Sequence, residues 1–463
     1  MRPIKLIPIG LAASLACAGQ ALSMLSPQET RALGEKAYVF AYPIVLMEFT
    51  RRMAIEHPVL GAPEMNQFAH APAFPTDAFR QVIRPNADTL YSSAWLDLSR
   101  EPQVLHVPDT HDRYYLMQFM DAWTETFNVP GKRTTGTQEG WFAVVGPGWK
   151  GTLPARTQRI DSPTNMVWLL GRTQTNGPAD YEFVHSLQKG YTLMPLSLYP
   201  DGPRPAPPNL RVNPVSGLPT PPIQVARLSS TEFFETFAHL LETNPPHPAD
   251  APMVAQLARA GIVPGRPFDS SALNPDQRKA FEEGARAASA RLEALGSGGS
   301  GGKPGKTGWT EWNAAKVGRY GTDYVARAAV ARIGLGANAP EDAIYLNCSV
   351  DADAKPFRGT NRYRIHFTKD SMPPVDAFWS ITMYSDDGYF VKNPINRFAI
   401  GDRDPLKFNS DGSLDIYIQS TEAKDRNWLP SPEAGFNLTL RMYWPKQQVL
   451  SGNWTPPAVT REQ

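Results

Sequence analysis

The densest run of side chains suited to polar chemistry in this 463-residue chain is Arg84-Pro85-Asn86-Ala87-Asp88-Thr89-Leu90-Tyr91. In extended chain a two-residue spacing aims Arg84, Asn86 and Asp88 the same way, which sets a guanidinium, an amide and a carboxylate on one wall of a cleft. Asp88 is then the acid/base candidate, Tyr91 a second catalytic candidate, and Arg84 an anion clamp. An Asx or N-cap turn around Asp88-Thr89, with Arg84 paired locally, explains the same residues without chemistry. A Trp-rich run follows, with Tyr115, Asp121, Trp123, Thr124, Asn128 and Arg133. It supplies a stacking platform with hydrogen-bonding groups, as sugar sites do, or else core aromatics with loop polars. Further on, Phe378 to Tyr384 alternates large apolar with polar residues, and Asn393-Pro394-Ile395-Asn396-Arg397 comes soon after. Tyr384 and Arg397 suit an anionic or hydroxylated ligand, although Arg397 equally suits bonding to backbone carbonyls. The candidate ligand-binding residues are therefore Arg84, Asn86, Trp123, Asn128, Arg133, Tyr384 and Arg397.

Other chemistries lose on spacing. The eight histidines never fall three or four apart, so none forms the local pair that zinc sites commonly use, and no metal or other cofactor is expected. Gly305-Lys306-Thr307 lacks the preceding strand of a phosphate loop, and Gly298-x-Ser300-x-Gly302 lacks the strand and helix of a nucleophile elbow. Lys407 stands where a calcium loop ending at Gly412 needs its first acidic ligand, so a hairpin turn explains that segment better. Cys348 lies in an apolar stretch and reads as a small buried hydrophobe.

These residues need a framework. With 41% hydrophobic residues the chain buries a large core, and 45 prolines and 35 glycines point to many short strands and turns. Short β-rich runs fall at Val104 to Val107, Tyr114 to Met120, Trp141 to Val145 and Met166 to Gly171. Capping boxes at Ser26/Glu29 and Ser229/Glu232 open helices, and Asn274-Pro275 opens another that closes near Gly296. A helix over Thr322 to Arg332 precedes a second β block, where Phe436, Leu438, Leu440, Met442 and Trp444 alternate with Asn437, Thr439, Arg441 and Tyr443. Such alternation predicts one core face and one wet face. The fold class is mainly β with helical insertions: two β-sandwich or jelly-roll-like domains joined by a Pro-rich connector and a helical segment. Lys plus Arg at 46 nearly cancels Asp plus Glu at 45, which leaves no electrostatic footprint for nucleic acid.

Arg2 and Lys5, the apolar run Leu6 to Ala18, and the small residues Ala21 and Ser23 form a cleavable secretory signal. Cleavage after Ser23 removes two basic and no acidic residues and makes the mature protein periplasmic or secreted, without a transmembrane segment. Lipid anchoring through Cys17 is the minor alternative, because Ser14 stands where a lipobox carries Leu. The expected division is a signal at 1–23, a helix plus β-rich domain at 24–205, connector, helical segment and Gly-rich tether at 206–308, and a β domain at 309–463.

The runs Arg84 to Trp95 and Trp123 to Gly131 resemble domain of unknown function 1254. Trp312 to Asn338, Ala377 to Arg397 and Asn427 to Pro457 resemble its usual partner, domain of unknown function 1214. The resemblance implies two β-sandwich-like domains with helical elements in bacterial proteins that are often exported, and assigns no reaction or catalytic residue. Two functions are carried forward, with a metal enzyme whose ligands come from separate strands as a weaker third. One is an enzyme-like protein acting on a small polar or sugar-like molecule; the other is a non-catalytic envelope module recognising a glycan or a protein. Oligomeric state cannot be read from the sequence.

Overall fold

The computed structural model describes residues 25–56, 64–80, 83–200, 218–297, 304–310, 316–424 and 426–462. The secretory signal with Cys17, most of the Pro-rich connector, residues 298–303 of the Gly-rich tether and Trp312 lie outside the described residues.

Both predicted capping boxes form. Ser26 and Glu29 exchange backbone and side-chain bonds (Ser26 N to Glu29 Oε2, 2.8 Å; Glu29 N to Ser26 Oγ, 3.3 Å), and helix α1 (Pro27–Glu56) follows. The remaining helices are α2 (Tyr181–Gly190), α3 (Pro221–Ala226), α4 (Ser230–Leu240), α5 (Ala251–Ala258), α6 (Pro275–Ser297), α7 (Tyr324–Gly334) and α8 (Gln447–Leu450). Pro221 and Pro222 do not prolong the Pro-rich connector but occupy the first turn of α3, where a missing N–H costs nothing. Helices α1 and α6 approach backbone to backbone, since a Cβ at Gly284 would lie 2.0 Å from the Arg31 carbonyl oxygen. Phe40, Phe233, Phe234, Phe237 and Phe281 fill the core of this helical layer. None of the described helices is long and apolar enough to cross a membrane.

Among the described residues, seventeen strands build four open sheets. The first domain pairs a five-stranded sheet, β1 (Ala69–His70), β2 (Thr89–Asp97), β8 (Met166–Gln174), β4 (Tyr115–Asp121) and β5 (Thr126–Asn128), with a four-stranded one. The latter is β7 (Gln158–Asp161), β6 (Gly140–Val145), β3 (Gln103–Val107) and β9 (Thr192–Pro195). Leu96, Leu105, Phe119, Val144 and Leu169 pack between them. In the second domain β10 (Ala343–Cys348), β16 (Phe436–Pro445), β12 (Val375–Ser385) and β13 (Ala399–Gly401) form one sheet. The facing sheet is β15 (Trp428–Pro430), β14 (Leu414–Gln419), β11 (Arg362–Phe367) and β17 (Val459–Glu462). Ile344, Ile365, Ile381, Ile416 and Leu440 form that core, and Cys348 is buried with it. The architecture is thus largely β, in two sandwich-like domains with helical pieces.

One expectation fails in an informative way. The second face of β16 is not wet: Asn437, Thr439, Arg441 and Tyr443 are all buried. The first domain covers that face, so the sheet β10-β16-β12 has a hydrocarbon core on one side and a polar domain seam on the other. Tyr114 and Leu116 of the first domain pack there against Phe378 and Tyr443 of the second.

Candidate functional site

The chain entering β2 is not extended at Arg84, which sits at φ 56° with its N–H bonded to the Gly388 carbonyl of the other domain (2.8 Å). Asn86 closes the turn, its Oδ1 accepting from the backbone N–H groups of Asp88 (2.6 Å) and Thr89 (3.0 Å). The local turn and the convergent cluster are therefore both present: the turn delivers Asp88 into the seam.

Asp88 is fully buried there. One carboxylate oxygen accepts from Ser380 Oγ (2.7 Å) and the Tyr443 hydroxyl (3.2 Å), and the other pairs with Arg403. Arg403 also binds the backbone carbonyls of Asp88 (3.1 Å) and Thr175 (3.0 Å). Asn86 Nδ2 donates to the Tyr443 hydroxyl (2.9 Å), and the Tyr384 hydroxyl donates to the Pro85 carbonyl (2.6 Å). Thus Arg84, Asn86, Asp88 and Tyr384 meet across the two domains. With both oxygens engaged and no exposed surface, Asp88 holds the seam together and leaves no lone pair facing a cleft.

Beside Ser380 and Tyr443, three seam arginines are not among the sequence candidates: Arg172, Arg403 and Arg441. Arg441 lies on β16 opposite Tyr345 of β10 and Ser380 of β12, and it donates to Thr382 Oγ1 (2.5 Å), the Tyr384 hydroxyl (2.5 Å) and the Arg84 carbonyl (3.2 Å). Arg172 lies on β8 opposite Tyr91 of β2, with its guanidinium 5.0 Å from the Tyr91 ring centroid. It donates to Gln118 Oε1 (2.8 Å), Asn338 Oδ1 (2.6 Å) and the Gly336 carbonyl (2.7 Å). Burial pushes the Tyr345 phenol up to about 12, and burial first, then Asp88, raises Tyr443 further, so both are neutral hydroxyls at pH 7. The signal for Arg441 was its place in the alternation of β16; for Arg172 it was a charge at the end of an apolar run.

The remaining candidates disperse. Arg133 binds Asp342 across the domains (Nε to Oδ1, 2.7 Å). Trp123 is buried against Phe40 and Phe237, with Nε1 donating to the Pro245 carbonyl (3.0 Å), so it offers no stacking face. Asn128 is exposed on β5, and Arg397 donates to the Trp428 carbonyl (3.0 Å).

A second buried network forms where the β4–β5 hairpin meets the helical layer. Asp121 accepts from the N–H groups of Trp123 and Glu125 (2.9 Å each) and bonds His247 Nε2 (2.6 Å). Arg327 pairs with Glu125 (3.1 Å), and the Tyr324 hydroxyl donates to Asp250 (3.1 Å). Thr124 closes the hairpin at φ 69°, a conformation that is an outlier for a β-branched residue. Burial alone would lower the His247 pKa, but the Asp121 bond and charge outweigh it and hold the imidazole above its ordinary 6.5. Among the described residues no group of three or more His, Cys, Asp or Glu is placed to hold a metal ion.

Comparison with known proteins agrees with this architecture. Residues 65–195 match the family model described as Protein of unknown function (DUF1254), and residues 342–447 match that of Protein of unknown function (DUF1214). The chain therefore carries the first of these domains followed by the second. The crystal structure of the VPA0106 protein from Vibrio parahaemolyticus aligns with a TM-score of 0.71 at 24% identity, over 94% of this chain and 100% of that one, and so shares the fold. An uncharacterised protein from Burkholderia cenocepacia aligns with a TM-score of 0.42 at 12% identity, over 97% of this chain and 93% of that one. No curated protein matches the chain.

Two outcomes are expected. Asp88→Asn strands the Arg403 guanidinium and lowers stability by about 3 kcal/mol, read as a fall in the urea midpoint at unchanged m-value; a shift under about 0.5 kcal/mol would contradict the role given to Asp88. Because the folded pKa of His247 exceeds the unfolded 6.5, its stabilisation is complete below that pH and is lost as pH rises through the folded value. The stability gap between the parent and His247→Gln should shrink from pH 6 to pH 9, and a constant gap would refute the linkage.

Proposed function

We propose that the chain is an exported binding protein that recognises a small polar molecule where its two β domains meet, without performing chemistry on it. The observation that supports binding is the convergence of Arg84, Asn86 and Tyr384 on one seam, with Arg84 only half-buried. What weighs against turnover is the closed shell of Asp88, since an acid/base group needs a lone pair or proton within reach of substrate. Export rests on the N-terminal run from Arg2 to Ser23. N-terminal sequencing of chain recovered from a periplasmic extract should begin at Met24, and an intact Met1 there would refute cleavage.

A thermal-shift screen of sugars, carboxylates and metal ions on the full chain tests the binding reading. A molecule bound only by the native state, supplied at about a hundred times its Kd, adds about 2.7 kcal/mol of apparent stability. A hit recovered unchanged after prolonged incubation supports binding without turnover. Conversion of the hit to product restores the enzyme reading, and a screen with no hit defeats the binding one.

A further inference from the structure

Arg84, Arg172 and Arg441 line the seam with no carboxylate in contact among the described residues. Among the described residues only Arg172, Arg327 and Arg441 are buried arginines, at 4%, 1% and 4% exposure. Arg327 pairs with Glu125, whereas neither Arg172 nor Arg441 has a carboxylate within 4 Å among the described residues. Their partners are neutral: amides, hydroxyls and backbone carbonyls. Arg172 Nε, also buried, has no hydrogen-bond partner among the described residues. Arg84 joins them as a third cation, with one donor engaged, to Thr439 Oγ1 (2.8 Å). Arg84 and Arg441 both lie near the Tyr384 ring, at 5.5 and 5.6 Å from its centroid, so two like charges share one aromatic ring. Burial, and then repulsion from Arg441, lowers the affinity of Arg84 for its proton. Burial alone would favour loss of the proton, but the surrounding tyrosines, and for Arg441 also Asp88 beyond contact distance, hold Arg172 and Arg441 charged, so both stay cationic with no carboxylate in contact.

The outer part of this cluster reaches solvent. Arg84, Tyr91, Tyr345 and Asn347 are half-buried, while Thr439, Arg441 and Arg172 behind them are closed to solvent. Arg441 lies over the Tyr345 ring (5.7 Å), and Tyr345 takes a bond from Asn338 (2.6 Å), which in turn accepts from Arg172 (2.6 Å), so the three cations belong to one connected lining. Resting on the binding reading above, we infer that this lining seats an oxyanion, carboxylate or phosphate, carried by a compact molecule whose body lies against Tyr91 and Tyr345. A guanidinium fork matches either oxyanion, and tyrosine faces suit the body of a small organic molecule.

The test is a thermal-shift and calorimetric titration of the full chain with inorganic phosphate, citrate and glucose, at low millimolar concentration and ionic strength matched with sodium chloride. Arg84→Gln is run beside Arg80→Gln, an exposed neighbouring cation stacked on Tyr389 (4.8 Å) that serves as the control for non-specific anion effects. Phosphate or citrate should stabilise the parent and Arg80→Gln, with affinity reduced tenfold or more in Arg84→Gln. Phosphate acting alone points to a phosphate ester, and citrate acting alone points to a carboxylate; both support the assignment. Equal shifts in all three proteins would mean general salting effects and overturn it, as would the absence of any anion shift. If glucose alone binds, the anionic class falls and the binding reading stands.

Discussion

One buried carboxylate organises the joint between the domains. Asp88 has no exposed surface, so removing it from water has to be offset by hydrogen bonds and by a cation, and the chain supplies these from the other domain. Arg403, Ser380 and Tyr443 come from the loop after β13, from β12 and from β16, so the charge can be satisfied only when both domains are folded and docked. The Asx turn at Asn86 and the left-handed Arg84 follow from the same demand, because they turn the chain so that Asp88 enters the seam rather than the solvent. An ion pair of this kind favours one docking geometry more than it adds net stability.

Much of the framework was legible in the residues. Ser26/Glu29 and Ser229/Glu232 are local signals, completed within a single helical turn, and both form as read. The strand runs were equally plain, because apolar alternation depends on a sandwich core that every strand shares. What could not be read was the partner of the second face. Period-two alternation tells two faces apart, but it does not tell water from a polar domain surface, so Thr439 and Arg441 looked solvated. The same blindness hid Arg172 and Arg403, whose roles depend on residues 54 to 315 positions away in the chain. Trp123 erred in the opposite direction: a Trp in a polar run suggested a stacking face, and α1 and α4 claimed that face as core.

The two interior polar networks differ in character. At the hairpin, Asp121 with His247 and Glu125 with Arg327 pair cation to anion, and the group is nearly self-contained. In the seam, cations outnumber anions, and the balance is made up by hydroxyls, amides and carbonyl dipoles. A neutral dipole can orient toward a guanidinium, but it cannot cancel its field.

Strand β16 has a further consequence. Its two faces are both buried, one among Leu438, Leu440 and Met442 and the other among Thr439, Arg441 and Tyr443. A slip of one residue against β10 or β12 would drive a guanidinium into hydrocarbon and, in the same step, press leucine against the polar seam. Most antiparallel strands are held in register by one buried face. Here misalignment is punished on both sides, so the pairing of β16 is set by the neighbouring domain as much as by its own.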